Sequence, residues 1–144
     1  MTQLPISATF ASIFVLLYLL LSFRIGYLRG SPVMKLFFKM EKAISEVKLQ
    51  RTVRAHGNFS EYVPLFLVLS ILIEHNDKLS ATLLLSINTI FFCGRLAHGI
   101  CFTFFDYNPS LRILGMLLTY FGLGCLAILL LLEHFFINFS RIFA

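Results

Sequence analysis

The amino-acid sequence predicts an all-α integral membrane protein, a bundle of four membrane-spanning helices built from one domain over residues 1–144. Of the 144 residues, 58% are hydrophobic and 13% are charged, and the mean hydropathy is +0.87. A soluble domain is nearer half apolar and a quarter charged. Residues 2–23 and 113–132 contain no acid or base, and each stretch is long enough to cross about 30 Å of hydrocarbon as a helix. Soluble enzymes, secreted disulfide-bonded domains and disordered chains are therefore excluded.

Positive charge is concentrated just after the first apolar stretch. Eight of the twelve basic residues lie between Arg24 and Arg54, and basic residues beside a span hold their loop in the cytoplasm. We therefore predict that this segment is cytoplasmic and that both termini lie outside. The first stretch has no basic segment before it and no A-x-A site after it, which predicts a retained anchor rather than a signal peptide. The sequence has no basic face interleaved with aromatic residues, so nucleic-acid binding is not expected.

The next elements follow from where charge and turn residues interrupt the apolar pattern. Gly30-Ser31-Pro32 breaks the first helix, and residues 33–50 mix apolar with basic residues, as in a segment lying along the membrane surface or packing under the bundle. The second uncharged run, residues 62–73, is too short to cross a bilayer. Its helix must therefore extend back through Arg51.

Two polar turns delimit the remaining spans. Residues 74–78 predict a turn before a third span over residues 79–105, and residues 106–110 predict a turn before a fourth span from residue 111 to about 136. In the second turn Pro109 cannot continue a helix and Ser110 can cap the next one. The three cysteines lie in apolar stretches and are interpreted as small buried hydrophobic residues.

Polar residues inside the spans carry the functional information, because a charge at the centre of a membrane helix costs roughly 2.5–3.5 kcal/mol. On the second helix four of them fall within about an 80° arc, Tyr62 lies beside that arc, and His56 points to the far side. On the third helix Arg95 and His98 share a face, and Arg112 stands at the start of the fourth. Counting spans places all of these residues at the cytoplasmic side. The four residues of the arc are Arg51, Arg54, Asn58 and Glu61.

The charge balance of this cluster predicts an anionic ligand. Four arginines face one carboxylate, and an excess of buried positive charge needs a counter-charge. The alternative is that the polar side chains pair across helices and only hold the bundle together. A haem or metal site is not expected, because the four histidines lie on different faces or at opposite membrane sides.

Residues 51–64, RTVRAHGNFSEYVP, resemble the second-helix signature R-A-H-x-N-x-x-E-Y-x-P of the MAPEG family, the membrane-associated proteins in eicosanoid and glutathione metabolism. The apolar run LFLVLSILIE follows it. The stretches LSFRIGYLRG, GRLAH and LRILGMLLTY agree with the family in the same order. The resemblance covers roughly residues 10 to 135 and is closest to the short bacterial members.

The resemblance implies a left-handed four-helix bundle that assembles as a homotrimer in a bacterial inner membrane, with glutathione bound between subunits near the cytoplasmic side. Glutathione carries two carboxylates and one ammonium, which suits a site of several guanidinium groups and one acid. The resemblance assigns Glu61 to the γ-glutamyl ammonium and Arg112 to the glutathione thiolate. The glutathione-binding positions it implies are Arg24, Arg54, Asn58, Glu61, Tyr62, Arg95 and His98.

The expected function is that of a glutathione-dependent membrane enzyme acting on a lipophilic small molecule from the bilayer, by conjugation to an electrophile or by reduction of a hydroperoxide. One departure from the family is Phe102, which stands where several eukaryotic members have tyrosine. A glutathione-binding or structural membrane protein without turnover is therefore an alternative. A small four-helix transporter is disfavoured, because such proteins place an acid in the first helix and residues 2–23 have none.

Overall fold

The computed structural model describes residues 4–39, 45–105 and 107–142, with side chains described as far as Phe135. The prediction of an all-α fold is confirmed, because the described residues form five α-helices and no strand. In chain order they are α1 (Pro5–Leu28), α2 (Pro32–Phe37), α3 (Glu46–Asn76), α4 (Ala81–Phe104) and α5 (Pro109–Ile142). Four of them, α1, α3, α4 and α5 as far as Phe135, are long and apolar enough to cross a membrane.

The first helix is capped in different ways at its two ends. At its start Pro5 occupies the first helical position, and the next two backbone N–H groups donate to the carboxylate of Glu74 on α3 at 2.8 and 2.7 Å. At its end Gly30 has a φ of +64°, and the Ser31 N–H donates to the Gly26 carbonyl at 3.1 Å. This is the six-to-one bond of a glycine-terminated helix, and it confirms the predicted break.

The short helix α2 begins at the side chain of Ser31, which accepts a hydrogen bond from the Met34 N–H at 3.5 Å. The ring of Phe38 just after α2 packs 5.9 Å from that of Tyr27 on α1. The side chains of Val33, Leu36 and Phe37 are exposed. Residues 40–44, which belong to the same predicted surface segment, lie outside the described residues.

The predicted backward extension of the second span is confirmed, because α3 starts at Glu46 and continues through Pro64. The predicted turn at residues 74–78 begins too early, since α3 runs to Asn76 and ends on Asp77 in the left-handed conformation. The predicted cap at Ser110 is wrong. Pro109 is already helical, so the cap precedes it: the Asn108 side chain accepts from the Leu111 N–H at 3.0 Å.

Aromatic side chains fill the core between α1, α3 and α4. The rings of Phe66 and Phe91 stack at 3.7 Å, and Phe14 meets Phe91 edge-on at 5.7 Å. Helices α4 and α5 approach more closely than large side chains would allow. A Cβ on Gly115 would lie 2.8 Å from the backbone nitrogen of His98 and 3.0 Å from the backbone oxygen of Gly94. This glycine contact fixes α5 against the segment of α4 that carries Arg95 and His98.

The bundle divides into two halves. The Glu74 half is where α1 starts, α3 ends, α4 starts and α5 ends. The Arg95 half is where α1 ends, α3 starts, α4 ends and α5 starts. The polar residues predicted to form the site lie in the Arg95 half.

Candidate functional site

Two predicted site residues, Arg95 and His98, are buried on α4 with 3% of each exposed. The Arg95 guanidinium lies 5.5 Å from the ring centre of Tyr62 and 5.8 Å from that of Phe59. Aromatic faces attract a cation in this range. Its Nη1 donates to the Thr119 hydroxyl at 3.5 Å, the outer limit of a hydrogen bond. The Arg95 cation is thus held by ring faces and one long hydrogen bond rather than by a carboxylate.

The predicted residues of α3 and α4 meet around a small cavity of about 80 Å³. The Asn58 amide and the Nε2 of His98 lie 3.0 Å apart, and the imidazole tautomer decides which atom donates. Four of the predicted site residues therefore share one cavity, and three residues of α5 complete its wall. The residues lining it are Asn58, Tyr62, Arg95, His98, Met116, Thr119 and Tyr120.

The α5 residues of this wall were missed by the sequence analysis. The hydroxyls of Tyr62 and Tyr120 lie 3.4 Å apart, and the Thr119 hydroxyl donates to the Gly115 carbonyl at 2.7 Å. The sequence did carry a signal for them. Thr119 and Tyr120 are two adjacent polar residues inside the otherwise apolar stretch 113–132.

Arg112 lines a second cavity, of about 260 Å³, at the turn between α4 and α5. Arg51 belongs to the predicted polar arc, although not to the glutathione-binding positions implied by the resemblance, and it also lines this cavity. Its Nη2 donates hydrogen bonds to the Phe105 carbonyl at 2.7 Å and to the Cys101 carbonyl at 3.4 Å, at the negative end of α4. Its guanidinium also lies 5.2 Å from the ring centre of Phe102. Because Arg112 is exposed, its guanidinium is accessible from this cavity.

Phe102 connects the two cavities. Its ring lines the Arg112 cavity and packs 4.7 Å from the imidazole of His98. A phenylalanine supplies no hydroxyl at this point, so it contributes an apolar face between the two groups of polar side chains.

Several buried donor and acceptor atoms of this half have no hydrogen-bond partner among the described residues. Arg95 is the clearest case, since both Nε and Nη2, which form one edge of the guanidinium, are unpaired. Buried polar atoms are nearly always satisfied in folded proteins, and unpaired ones call for a missing partner. The unpaired atoms are Arg24 Nε, Arg51 Nε, Arg95 Nε and Nη2, His98 Nδ1 and Thr103 Oγ1.

Arg54 and Glu61 lie apart from both cavities, on the exposed face of α3. Neither forms a hydrogen bond or ion pair with any residue that the structure describes. Glu61 stands near the middle of α3. The same face continues in Leu65, Val68 and Leu72, which are all exposed and follow at intervals of four, three and four residues. This spacing is typical of a helix that packs against another helix.

Arg24 lies in a different cleft, between α1 and α4, where its Nη2 donates to the Thr103 carbonyl at 2.9 Å. Arg95 also borders that cleft. His56 points away from the polar arc, as predicted, and faces α1, with its Nε2 2.9 Å from the Ser22 hydroxyl. Within one protomer, Arg24 is therefore separated from the cavity that Asn58, Tyr62 and His98 share.

The histidines, cysteines and acidic residues that the structure describes do not form a metal-binding or redox cluster. Among the described residues, no group of three histidine, cysteine or acidic side chains could hold a metal ion. All three cysteines are free. The interpretation of the cysteines as buried hydrophobic residues is wrong for Cys93, which is exposed on α4, whereas Cys101 is buried and Cys125 half-buried.

Four helices long enough to cross a bilayer, with a buried and incompletely paired arginine between them, define a polytopic membrane protein with a polar site in one half of its bundle. The model of the MAPEG family matches residues 7–132, and the chain belongs to this family. Membership agrees with a membrane enzyme of glutathione metabolism, since the family includes glutathione transferases and peroxidases. Neither the curated proteins nor the solved structures contain a match to the chain.

Proposed function

We propose that the protein is a glutathione-dependent membrane enzyme that joins the glutathione thiolate to a lipophilic electrophile or uses it to reduce a lipophilic hydroperoxide. The unpaired, buried edge of Arg95 carries this proposal. A guanidinium edge offers two parallel N–H donors, which match the two oxygens of a carboxylate. Glutathione has two carboxylates, and Asn58, Tyr62 and His98 line the same cavity.

The exposed charges of α3 support binding between subunits. Glu61 and Arg54 on a lipid-facing surface would each cost several kcal/mol, so a protein partner should cover them. The apolar stripe formed by Leu65, Val68 and Leu72 continues the same face. We infer that α3 packs against α3 of other copies in a homotrimer, and that glutathione binds beside this interface. In such an assembly Glu61 receives the glutathione ammonium and Arg54 a carboxylate, while Arg24 acts on the site of a neighbouring copy.

Arg112 is the proposed catalytic residue. A thiol must be ionised to attack, and a guanidinium that stays protonated stabilises the thiolate. In conjugation the sulfur forms a bond to the electrophilic carbon and the leaving group departs with its electron pair. In peroxide reduction two glutathione molecules become one disulfide, and the hydroperoxide becomes an alcohol and water. Both reactions begin with the same thiolate.

The test has two stages, binding and then turnover. Glutathione binding to the detergent-purified protein is measured by calorimetry, and conjugation to chlorodinitrobenzene and reduction of cumene hydroperoxide are then assayed. Absence of binding would overturn the proposal. Binding without either turnover would support the second candidate, a non-catalytic glutathione-binding protein, which the apolar Phe102 ring beside His98 favours.

The proposal also requires the Arg95 half to face the cytoplasm, where glutathione is abundant. Single cysteines at Ser31 and Asp77, in a chain whose native cysteines are replaced, report the two ends of the bundle. We expect an impermeant maleimide added outside intact cells to label Asp77→Cys and not Ser31→Cys. The reverse labelling would contradict the predicted topology and place the site on the wrong side for cytoplasmic glutathione.

A further inference from the structure

A cleft of about 370 Å³ lies between α1 and α4, and it shares Arg95 with the smaller of the two cavities of the proposed glutathione site. Leu20, Ile100 and Phe104 on its rim are exposed, so the cleft opens sideways onto a surface that a membrane protein presents to lipid. Its volume is at the lower end of the range for small-molecule sites, which suits one alkyl chain rather than two. The apolar walls are Leu17, Leu20, Leu21, Leu96, Ile100 and Phe104.

One end of the cleft is polar. The Arg24 guanidinium is anchored by its Nη2 hydrogen bond of 2.9 Å to the Thr103 carbonyl, and its buried Nε has no partner among the described residues. Thr103 is 6% exposed, and its hydroxyl is likewise unpaired. Arg24 stands four residues before the end of α1, which places it close to the membrane surface. The anchored Arg24 guanidinium and the Thr103 hydroxyl are two donors that match the oxygens of an anionic headgroup.

The cleft owes part of its space to a glycine on α4. Gly99 lines the cleft, and a Cβ built there would meet nothing within 4 Å. Unlike Gly94 and Gly115, it is not needed for close contact between helices. A larger side chain at Gly99 would therefore fill the cleft without displacing backbone.

We propose that this cleft binds one anionic phospholipid, with its phosphate on Arg24 and Thr103 and one acyl chain between α1 and α4. The second chain lies over the exposed leucines of α1. The bilayer supplies this ligand directly, and the surplus of basic residues between Arg24 and Arg54 raises the local concentration of anionic lipid. The cleft needs neither α5 nor the exposed face of α3. Because Arg24 is also assigned to the glutathione site of a neighbouring copy, substitution at Gly99 rather than at Arg24 separates lipid binding from glutathione binding.

The chain contains no tryptophan, so one inserted tryptophan gives a clean fluorescence reporter. Leu20→Trp places it in the cleft, and Leu117→Trp places it on α5, where the replaced side chain is similarly exposed, at 61% against 64%. Both proteins are reconstituted with phospholipids whose acyl chains are brominated, either phosphatidylglycerol or phosphatidylcholine. We expect phosphatidylglycerol to be preferred about fivefold in the cleft variant, from about one favourable basic contact, and not in the α5 variant. Equal quenching of the cleft reporter by the two lipids would overturn the proposal.

Two matched pairs of variants in the Leu20→Trp protein separate the cleft from general lipid attraction. Gly99→Leu should abolish the preference, whereas Gly124→Leu, at a glycine that also has open space but lies on α5, should retain it. Arg24→Gln should lose the preference while its amide can still donate to the Thr103 carbonyl, and Arg29→Gln, an exposed charge at the same helix end, should not. Equal losses within either pair would show diffuse attraction rather than a site.

A third arm identifies the headgroup. A brominated fatty acid offers a carboxylate in place of the phosphate. If it quenches the cleft reporter more strongly than phosphatidylglycerol does, the assignment to a phospholipid is overturned. Glutathione binding is measured on the same proteins. We expect Gly99→Leu to leave it unchanged, so the failure of the lipid site and the failure of the glutathione site remain distinguishable.

Discussion

The Glu74 half and the Arg95 half of the bundle differ in whether their buried polar groups are paired by hydrogen bonds. In the Glu74 half the carboxylate of Glu74 accepts two backbone N–H groups of α1, and the hydroxyls of Ser7 and Ser70 meet at 3.0 Å. The Asn88 amide donates to the Ser70 hydroxyl at 3.1 Å, and at the surface Lys78, in the turn before α4, pairs with Glu133 of α5 at 3.5 Å. These polar groups are paired with one another, and they join α1, α3, α4 and α5.

In the Arg95 half the buried polar groups are instead left with unused hydrogen-bonding capacity. Every buried side-chain atom without a partner among the described residues belongs to this half. A satisfied network strengthens a fold, whereas an unsatisfied one is costly unless a ligand completes it. The comparison therefore separates polar residues that hold the helices together from those available to bind. Substitutions in each half test that separation.

Arg112→Ala should lower the conjugation rate by about two to three decades, the typical cost of losing one preorganised electrostatic donor. The absorbance of the bound thiolate near neutral pH should fall with the rate, because the thiol is less ionised. Arg112→Lys should restore part of both, since an ammonium supplies charge without the planar fork. Affinity for S-methyl-glutathione, which cannot ionise, should hardly change. Full turnover in Arg112→Ala would show that this arginine only contacts lipid headgroups.

Glu61→Gln and Arg54→Ala should each weaken glutathione binding about ten- to a hundredfold, because each removes a charge-assisted hydrogen bond worth roughly 1.5–3 kcal/mol. Calorimetry measures the affinity, and size-exclusion chromatography checks that the variants assemble like the parent. Glu133→Gln is the matched control, a carboxylate of the Glu74 half that pairs with Lys78. If all three variants bind equally well, Glu61 and Arg54 serve only to pack the helices.

Gly115→Ala should reduce the free energy of unfolding by about 1–3 kcal/mol, because the new Cβ would lie 2.8 Å from the backbone nitrogen of His98 and force α4 and α5 apart. It should also weaken glutathione binding, since the contact fixes Thr119 beside Arg95. Gly124→Ala, where a Cβ has open space, should change neither quantity. Unfolding is followed by circular dichroism in mixed detergent. Identical behaviour of the two variants would mean that this contact does not position the site.

Glu74→Ala should lower the free energy of unfolding by roughly 0.5–2 kcal/mol, the usual cost of removing a helix cap. Its carboxylate holds the start of α1 through Ile6 and Ser7. Glutathione affinity and turnover should not change, because the substitution lies in the other half. A loss of glutathione affinity in a variant that still assembles would contradict the division between the two halves.

The sequence alone determined the class of the protein and identified four of the residues that line the candidate cavity. Residues 2–23 and 113–132 predict helices because only a helix satisfies its own backbone within a bilayer, so apolar length is enough to identify a span. The short uncharged run 62–73 also required the backward extension through Arg51 that α3 has. A charge inside a span is costly wherever the helix packs, so Arg95 and His98 could be identified as candidate site residues before their surroundings were known.

Only the tertiary structure determines which polar residues form hydrogen bonds with one another and which have no partner. Helical periodicity placed Arg51, Arg54, Asn58 and Glu61 on one arc, but the packing of α4 divides that arc. Asn58 and Arg51 contact α4, whereas Arg54 and Glu61 remain on the exposed face. The separation of Arg24, the entry of Tyr120 into the cavity and the capping of α1 by Glu74 depend on contacts 58 to 79 residues apart in the chain. A sequence pattern reports the face of one helix, and only the packed bundle determines what that face meets.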